Sequence, residues 1–176
     1  MRGHRSGHNL IRIAVIISAI FLFVQTANAS PISEQNIIDL TNKVRLQNGL
    51  NELTVSEKLN ETAQTKASDM VEKNYWSHKT PSGEPFWIFA DRAGYNWDVL
   101  GENLAADFKT SEGVISGWFE SASHQRNMLN PKYQEMGIGV YRNIVVAEYG
   151  KPKTDILSID KITQFVSKIT LKIWRY

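Results

Sequence analysis

Apolar residues follow three different rhythms along the chain. Ile13 to Val24 is an almost unbroken apolar run of twelve residues. After Ser33, apolar positions recur every three or four residues: Ile37, Leu40 and Val44, then Leu59, Ala63, Ala67 and Met70, then Phe86, Phe89 and Ala93. That spacing predicts three amphipathic helices. Ser33 is placed to cap the first, Glu34 sits in its first turn, and Gly49 ends it. Thr54-Val55-Ser56-Glu57 reads as a capping box for the second, with Glu57 reaching back to the N-cap. Its small alanines predict close packing against another element. Gly94 closes the third.

Further on, Ser111 and Glu112 open a helix carrying Val114, Ile115 and Trp118. The chain turns at Ser121 to Ser123, and a short helical stretch from His124 to Leu129 stops at Asn130-Pro131. Then the period changes to two. Met136, Ile138 and Val140 alternate with Gly137 and Gly139, and Ile144 to Tyr149 is rich in β-formers. These two segments predict an antiparallel hairpin turning at Arg142-Asn143. The two glycines imply that something packs closely on that strand. Gly101-Glu102-Asn103-Leu104 falls at the edge of a loop or strand. Helices first and strands last predict an α+β layered domain. Gly150-Lys151-Pro152 reads as its end. Beyond it, Ile156, Ile159, Ile162, Val166, Ile169 and Ile173 mark an amphipathic C-terminal helix over residues 153–176.

Charge changes the reading of the first run. Arg2, Arg5 and Arg12 precede or open it, and Ala27-Asn28-Ala29 follows it. That is the layout of a secretory signal over residues 1–29, cleaved before Ser30. The run is short for a membrane span, which needs about 20 residues; an uncleaved anchor is the alternative. Cleavage removes three arginines and no acid, so 20 basic and 18 acidic residues become 17 and 18, and the net charge falls from +2 to −1. No basic field for nucleic acid survives. The remaining 147 residues are the size of one domain. With no cysteine, that domain is built without disulfides.

Two histidines remain, His78 and His124, each beside polar neighbours, and Glu102 lies between them in the chain. Two imidazoles and a carboxylate are the ligand set of an open zinc site. The same set can serve as general acid and base, or each histidine can make an ordinary hydrogen bond. Ser121 and Ser123 read as turn and cap residues, because no G-x-S-x-G elbow exists. There is no H-E-x-x-H helix and no phosphate loop. Trp76, Trp87, Trp97 and Trp118 read as core or rim packing, or as the wall of a groove for a sugar or lipid.

The order of segments resembles the CAP family, also called SCP, which includes cysteine-rich secretory proteins, insect venom antigen 5 and plant pathogenesis-related proteins of class 1. The resemblance, closest to bacterial members, runs through Leu40-Thr41-Asn42-x-x-Arg45, Tyr75-Trp76-Ser77-His78 and Gly101-Glu102-Asn103-Leu104. It continues with Trp118-x-x-Ser121-x-x-His124-x-x-Asn127-x-Leu129-Asn130-Pro131 and ends with Met136-Gly137-Ile138-Gly139-Val140. It implies a three-layer α–β–α sandwich with a central antiparallel sheet over residues 30–152. It also implies a cleft holding two histidines and two acids. His78, Glu102 and His124 match three of these. The fourth falls on Ser121, leaving one acid instead of two; Asn127 is placed in the same cleft.

The function expected from the resemblance is a secreted or periplasmic binding module. Its cleft would hold a divalent metal, zinc first, on His78, Glu102 and His124, with a lipid or cell-envelope ligand. The alternatives are a metal- or Glu-assisted hydrolase, and an interaction protein using residues 153–176. That segment carries Lys153, Lys161, Lys168, Lys172 and Arg175 against Asp155 and Asp160. Such a helix either lies on an anionic membrane or docks on its own domain.

Overall fold

The computed structural model describes residues 31–154. The expected signal segment and almost all of the expected C-terminal helix lie outside the described residues. The elements run α1 (Glu34–Gln47), β1 (Thr54–Val55), α2 (Glu57–Glu72), α3 (Trp87–Arg92), β2 (Trp97–Ala106), α4 (Ser111–Glu120), α5 (Ala122–Met128), β3 (Glu135–Tyr141) and β4 (Ile144–Pro152). The strands form one sheet in the order β1-β3-β4-β2, antiparallel except for the parallel β1–β3 pair.

Strand alternation divides the core in two. On one face Leu104, Ile144 and Val146 pack against Ala63, Ala67 and Met70 of α2. On the other, Ala105, Met136, Ile138, Val145, Ala147 and Tyr149 meet Ile37 and Ile38 of α1, Val114, Ile115 and Trp118 of α4, and Met128 of α5. The result is the expected α–β–α sandwich. Ser33 caps α1 as expected, its Oγ accepting from the Asn36 N–H. The buried Arg45 leaves α1 to donate to the carbonyls of Asn51, Met128 and Asn130. It thereby satisfies orphan carbonyls at the end of α5 and ties two helices together.

Local details differ from the sequence reading. Thr54 and Val55 do not open α2. They pair with Glu135 and Met136 as a strand, and α2 begins after Ser56, whose side chain makes no capping bond. Two β-branched residues beside an open strand edge gain more from the ladder than from a cap. The hairpin's second strand also continues through Gly150 to Pro152, where it pairs with Trp97. Gly101 to Leu104 lies within β2 rather than at a loop edge.

The glycines of β3 have the reason their spacing implies. A Cβ at Gly137 would land on the Leu59–Asn60 backbone, and one at Gly139 on the Ala63–Gln64 backbone. Helix and strand are in backbone contact there. Asn60 and Gln64 then accept from the N–H groups of Ile138 and Val140, on the part of the β3 edge that β1 is too short to cover.

Gly139→Ala should therefore destabilise by about 3 kcal/mol, the upper end of ordinary overpacking, because backbone cannot yield as a side chain can. Gly117→Ala is the control. There the new methyl meets only the ring of Phe108, which is partly exposed, and a loss under about 1 kcal/mol is expected. Urea denaturation of both variants against wild type measures the difference.

Candidate functional site

Glu102 occupies the middle of β2, and its register partner on β4 is Glu148. Residues in register point to the same face, so the two carboxyls are neighbours. That face lies under α2, which seals them: Glu148 is fully buried and Glu102 is nearly so. Lys66 reaches down from α2 and is also fully buried. Its ammonium donates to the Ser77 carbonyl (2.7 Å) and the Tyr75 hydroxyl (3.2 Å) and lies over the Tyr75 and Phe89 rings. The Tyr75 hydroxyl in turn donates to Asp69. Because Ser77 immediately precedes His78, Lys66 pins the loop that carries the histidine. A narrow hairpin, with Lys79 bridged to Pro85 and the Thr80 N–H bonded to the Glu84 carbonyl, folds the rest of that loop back. His78 then meets Glu102 directly, Nδ1 to Oε1 at 2.5 Å.

Burial dominates the electrostatics. Desolvation pushes the Glu148 carboxyl well above the usual range, and the neighbouring Glu102 pushes it further. Desolvation also raises Glu102, opposed by its hydrogen bond to His78 and the charge of Lys66. Glu148 therefore holds its proton to higher pH than an ordinary carboxyl, in a hydrogen bond with Glu102. That bond pairs Glu102 Oε2 with one Glu148 oxygen; no donor from any other described residue reaches these atoms or the second Glu148 oxygen. Like-charge carboxyls in contact divide their protons in this way. Burial lowers the pKa of Lys66, while Glu102, Asp69 and Glu148 hold it up. The opposite signs of Lys66 and the two acids, with Glu148 the acid pushed furthest towards its neutral form, limit the uncompensated charge buried there.

The histidine and glutamate open into a cleft of about 460 Å³ at the free edge of β2. Phe86, Trp87, Leu100 and Tyr133 form its apolar walls; Asn127 and Gly101 complete it. Gly101 is obligatory, because a Cβ there would collide with the Tyr133 hydroxyl. Tyr133 is held by stacking on Tyr149 and by a bond to Asn127. Asn127 also donates to the Glu102 carbonyl and the Asn103 side chain, and Asn103 donates to the His124 carbonyl. These amide bonds fasten α5 to the exposed edge of β2.

Of the residues predicted for the site, His78, Glu102 and Asn127 come together around the cleft. His124 stands on α5, half-buried and not among the cleft's lining residues. Desolvation first, and then the charge of His78, lower its pKa and keep its imidazole neutral. Ser121 lies at the α4–α5 junction, bonded to Ser123. Among the described residues, no three His, Cys, Asp or Glu side chains are grouped to hold a metal ion. Glu148 and Lys66 were missed by the sequence reading. Glu148 puts a second acid beside Glu102, but it comes from β4, is fully buried and is not among the residues that line the cleft. A glutamate inside the β-rich run Ile144 to Tyr149 was its signal, and for Lys66 it was a place between Ala63 and Met70 on the packed face of α2.

The raised pKa of Glu148 fixes the sign of one pH effect. The folded state holds a proton that the unfolded chain loses above about pH 4.5, so this residue's contribution to stability falls as pH rises from there. Glu148→Gln keeps a donor towards Glu102 and cannot ionise. Its stability relative to wild type should climb from about pH 4.5 upwards over the range in which Glu148 stays protonated in the fold. Urea midpoints across that range check it; a pH-independent difference would contradict the shared proton.

Comparison with known proteins agrees with this architecture. The family model for the cysteine-rich secretory protein family, CAP, matches residues 38–146. The uncharacterized protein YkwD of Bacillus subtilis is 37% identical over 107 residues, 60% of this chain and 41% of that protein. The uncharacterized membrane protein YlbC of the same species is 30% identical over 119 residues, 68% of this chain and 34% of its own. The chain thus spans well under half the length of these relatives. An extracellular SCP-domain protein of Bacillus anthracis superposes with a TM-score of 0.65 at 29% identity, covering 67% of this chain and 40% of that one. An outer surface protein of Borrelia burgdorferi shares the fold, with a TM-score of 0.62 at 20% identity over 71% of this chain and 99% of its own. With the family model matching more than half of its residues, this chain belongs to the CAP family of cysteine-rich secretory proteins, although it contains no cysteine itself.

Proposed function

We propose that the protein acts outside the cytoplasm as a binding module for an amphipathic lipid or cell-envelope molecule. The observation that carries this is the make-up of the cleft. Apolar walls of Phe86, Trp87, Leu100 and Tyr133 stand over a polar floor in which His78 is bonded to a buried glutamate. An acyl or ring portion gains by covering the walls, and a polar head gains a charge-assisted partner on the floor. Export is supported by the basic, apolar and Ala-x-Ala succession at the start of the chain. Two structurally similar proteins are described as extracellular or outer-surface. No helix among the described residues is long and apolar enough to cross a membrane.

A divalent cation such as zinc is the second reading, favoured by the neutral imidazole of His124 near His78. As they stand, the residues do not fit a three-ligand centre. One oxygen of Glu102 is taken by His78 and the other faces Glu148, while His124 stands outside the cleft's lining.

Both readings are tested on the exported chain. A lysophospholipid below its micellar concentration should shift the tryptophan emission to the blue. Trp87→Ala and His78→Ala should each weaken the binding about tenfold, the scale of one good contact. Unchanged affinity in both variants would remove the lipid reading. In calorimetry with zinc, a one-site isotherm lost in the His78→Ala/His124→Ala double mutant would replace it with the metal reading.

A further inference from the structure

Among the described residues, three that are not glycine have positive φ: Asn74 (51°), Asp107 (65°) and Arg142 (54°). They come from three separate segments, the end of α2, the end of β2 and the β3–β4 turn. All three line one pocket of about 490 Å³, together with Tyr75, Trp76 and Asn143. Asn74 follows the last turn of α2, where asparagine is a common left-handed cap. Asp107 is held by Asn143, whose amide donates to its carboxylate while the Asp107 N–H donates to the Asn143 carbonyl. Both residue types accept this conformation readily. Arg142 does not. A two-residue hairpin favours glycine, asparagine or aspartate at positive φ, and no backbone requirement explains an arginine there.

Its side chain does not explain it through the fold either. The exposed guanidinium rests over the Tyr141 ring and, among the described residues, takes part in no ion pair or hydrogen bond. Beside it stands Trp76, 53% exposed. The pocket therefore offers a flat indole, an unpaired guanidinium, the side-chain amides of Asn74 and Asn143, and the carboxylate of Asp107. An indole face suits the C–H side of a pyranose ring. Amides and a carboxylate suit its hydroxyls, and a guanidinium suits a carboxylate by a two-pronged bond. Backbone held at sparsely populated φ is concentrated at binding and active sites, and one ring contact is all that the fold gives this side chain among the described residues.

We propose that this pocket binds an acidic saccharide, a sugar unit bearing a carboxylate, with Arg142 on the carboxylate and Trp76 against the ring. The site is separate from the cleft under His78 and does not depend on the ligand proposed for it.

The test uses the full exported chain on an array of carboxylate-bearing saccharides, including N-acetylmuramic acid and hexuronic acid oligomers, and their neutral counterparts, followed by calorimetry with the strongest. Binding is expected for acidic sugars only, weakened about tenfold or more by Trp76→Ala and by Arg142→Asn. Arg142→Asn should also melt no lower than wild type, since asparagine accepts the positive φ. Absence of binding, equal binding of neutral sugars, or unchanged binding in both variants would overturn the proposal. So would a clear drop in the melting temperature of Arg142→Asn, which would assign the arginine to the fold.

Discussion

The backbone contact between α2 and β3 governs the rest of this molecule. Gly137, Glu148 and Glu102 are register partners across β3, β4 and β2. Because Gly137 has no side chain, α2 settles onto the sheet at that row. The same approach encloses Glu148 and brings Lys66 within reach of the loop before His78. A bulkier strand residue would lift the helix, admit water to the carboxyls and free the histidine loop. Packing and chemistry are thus a single arrangement rather than a scaffold with a site added to it.

Buried ionisable groups are expensive, and a lysine with two glutamates under one helix needs a reason. As a stabilising device the cluster is poor, because an apolar set of equal volume would serve at least as well. Its value lies at the cleft. A proton on Glu148 leaves Glu102 to accept from His78, and Lys66 balances that charge without occupying the cleft. The imidazole is therefore tethered through Nδ1 to a buried carboxyl, beside the apolar walls of the cleft. The side chain is itself more than half exposed, so this bond and not burial fixes it.

The parts legible in the sequence were those whose burial is written in residue type. The stripe Leu59, Ala63, Ala67 and Met70 and the alternation around Gly137 and Gly139 each announced a close approach, and the two proved to be partners. The resemblance led to His78, Glu102 and Asn127. Glu148 was hidden because a strand facing solvent and a strand facing a buried polar cluster show the same alternation; only α2 decides between them. Lys66 was hidden for the corresponding reason on a helix. Thr54-Val55-Ser56-Glu57 misled because a local capping pattern competed with a strand edge supplied about 80 residues later. His124 kept its place on α5, but the cleft follows the edge of β2, which spacing along the chain does not encode.

The shared proton is the feature on which the site rests, and infrared spectroscopy observes it directly. At neutral pH, wild-type protein should show absorption in the carbonyl-stretch region of a protonated carboxylic acid, and Glu148→Gln should abolish it. A wild-type spectrum with no such band, or a band that survives Glu148→Gln, would show that Glu148 does not hold the proton and that the cleft's floor is built differently.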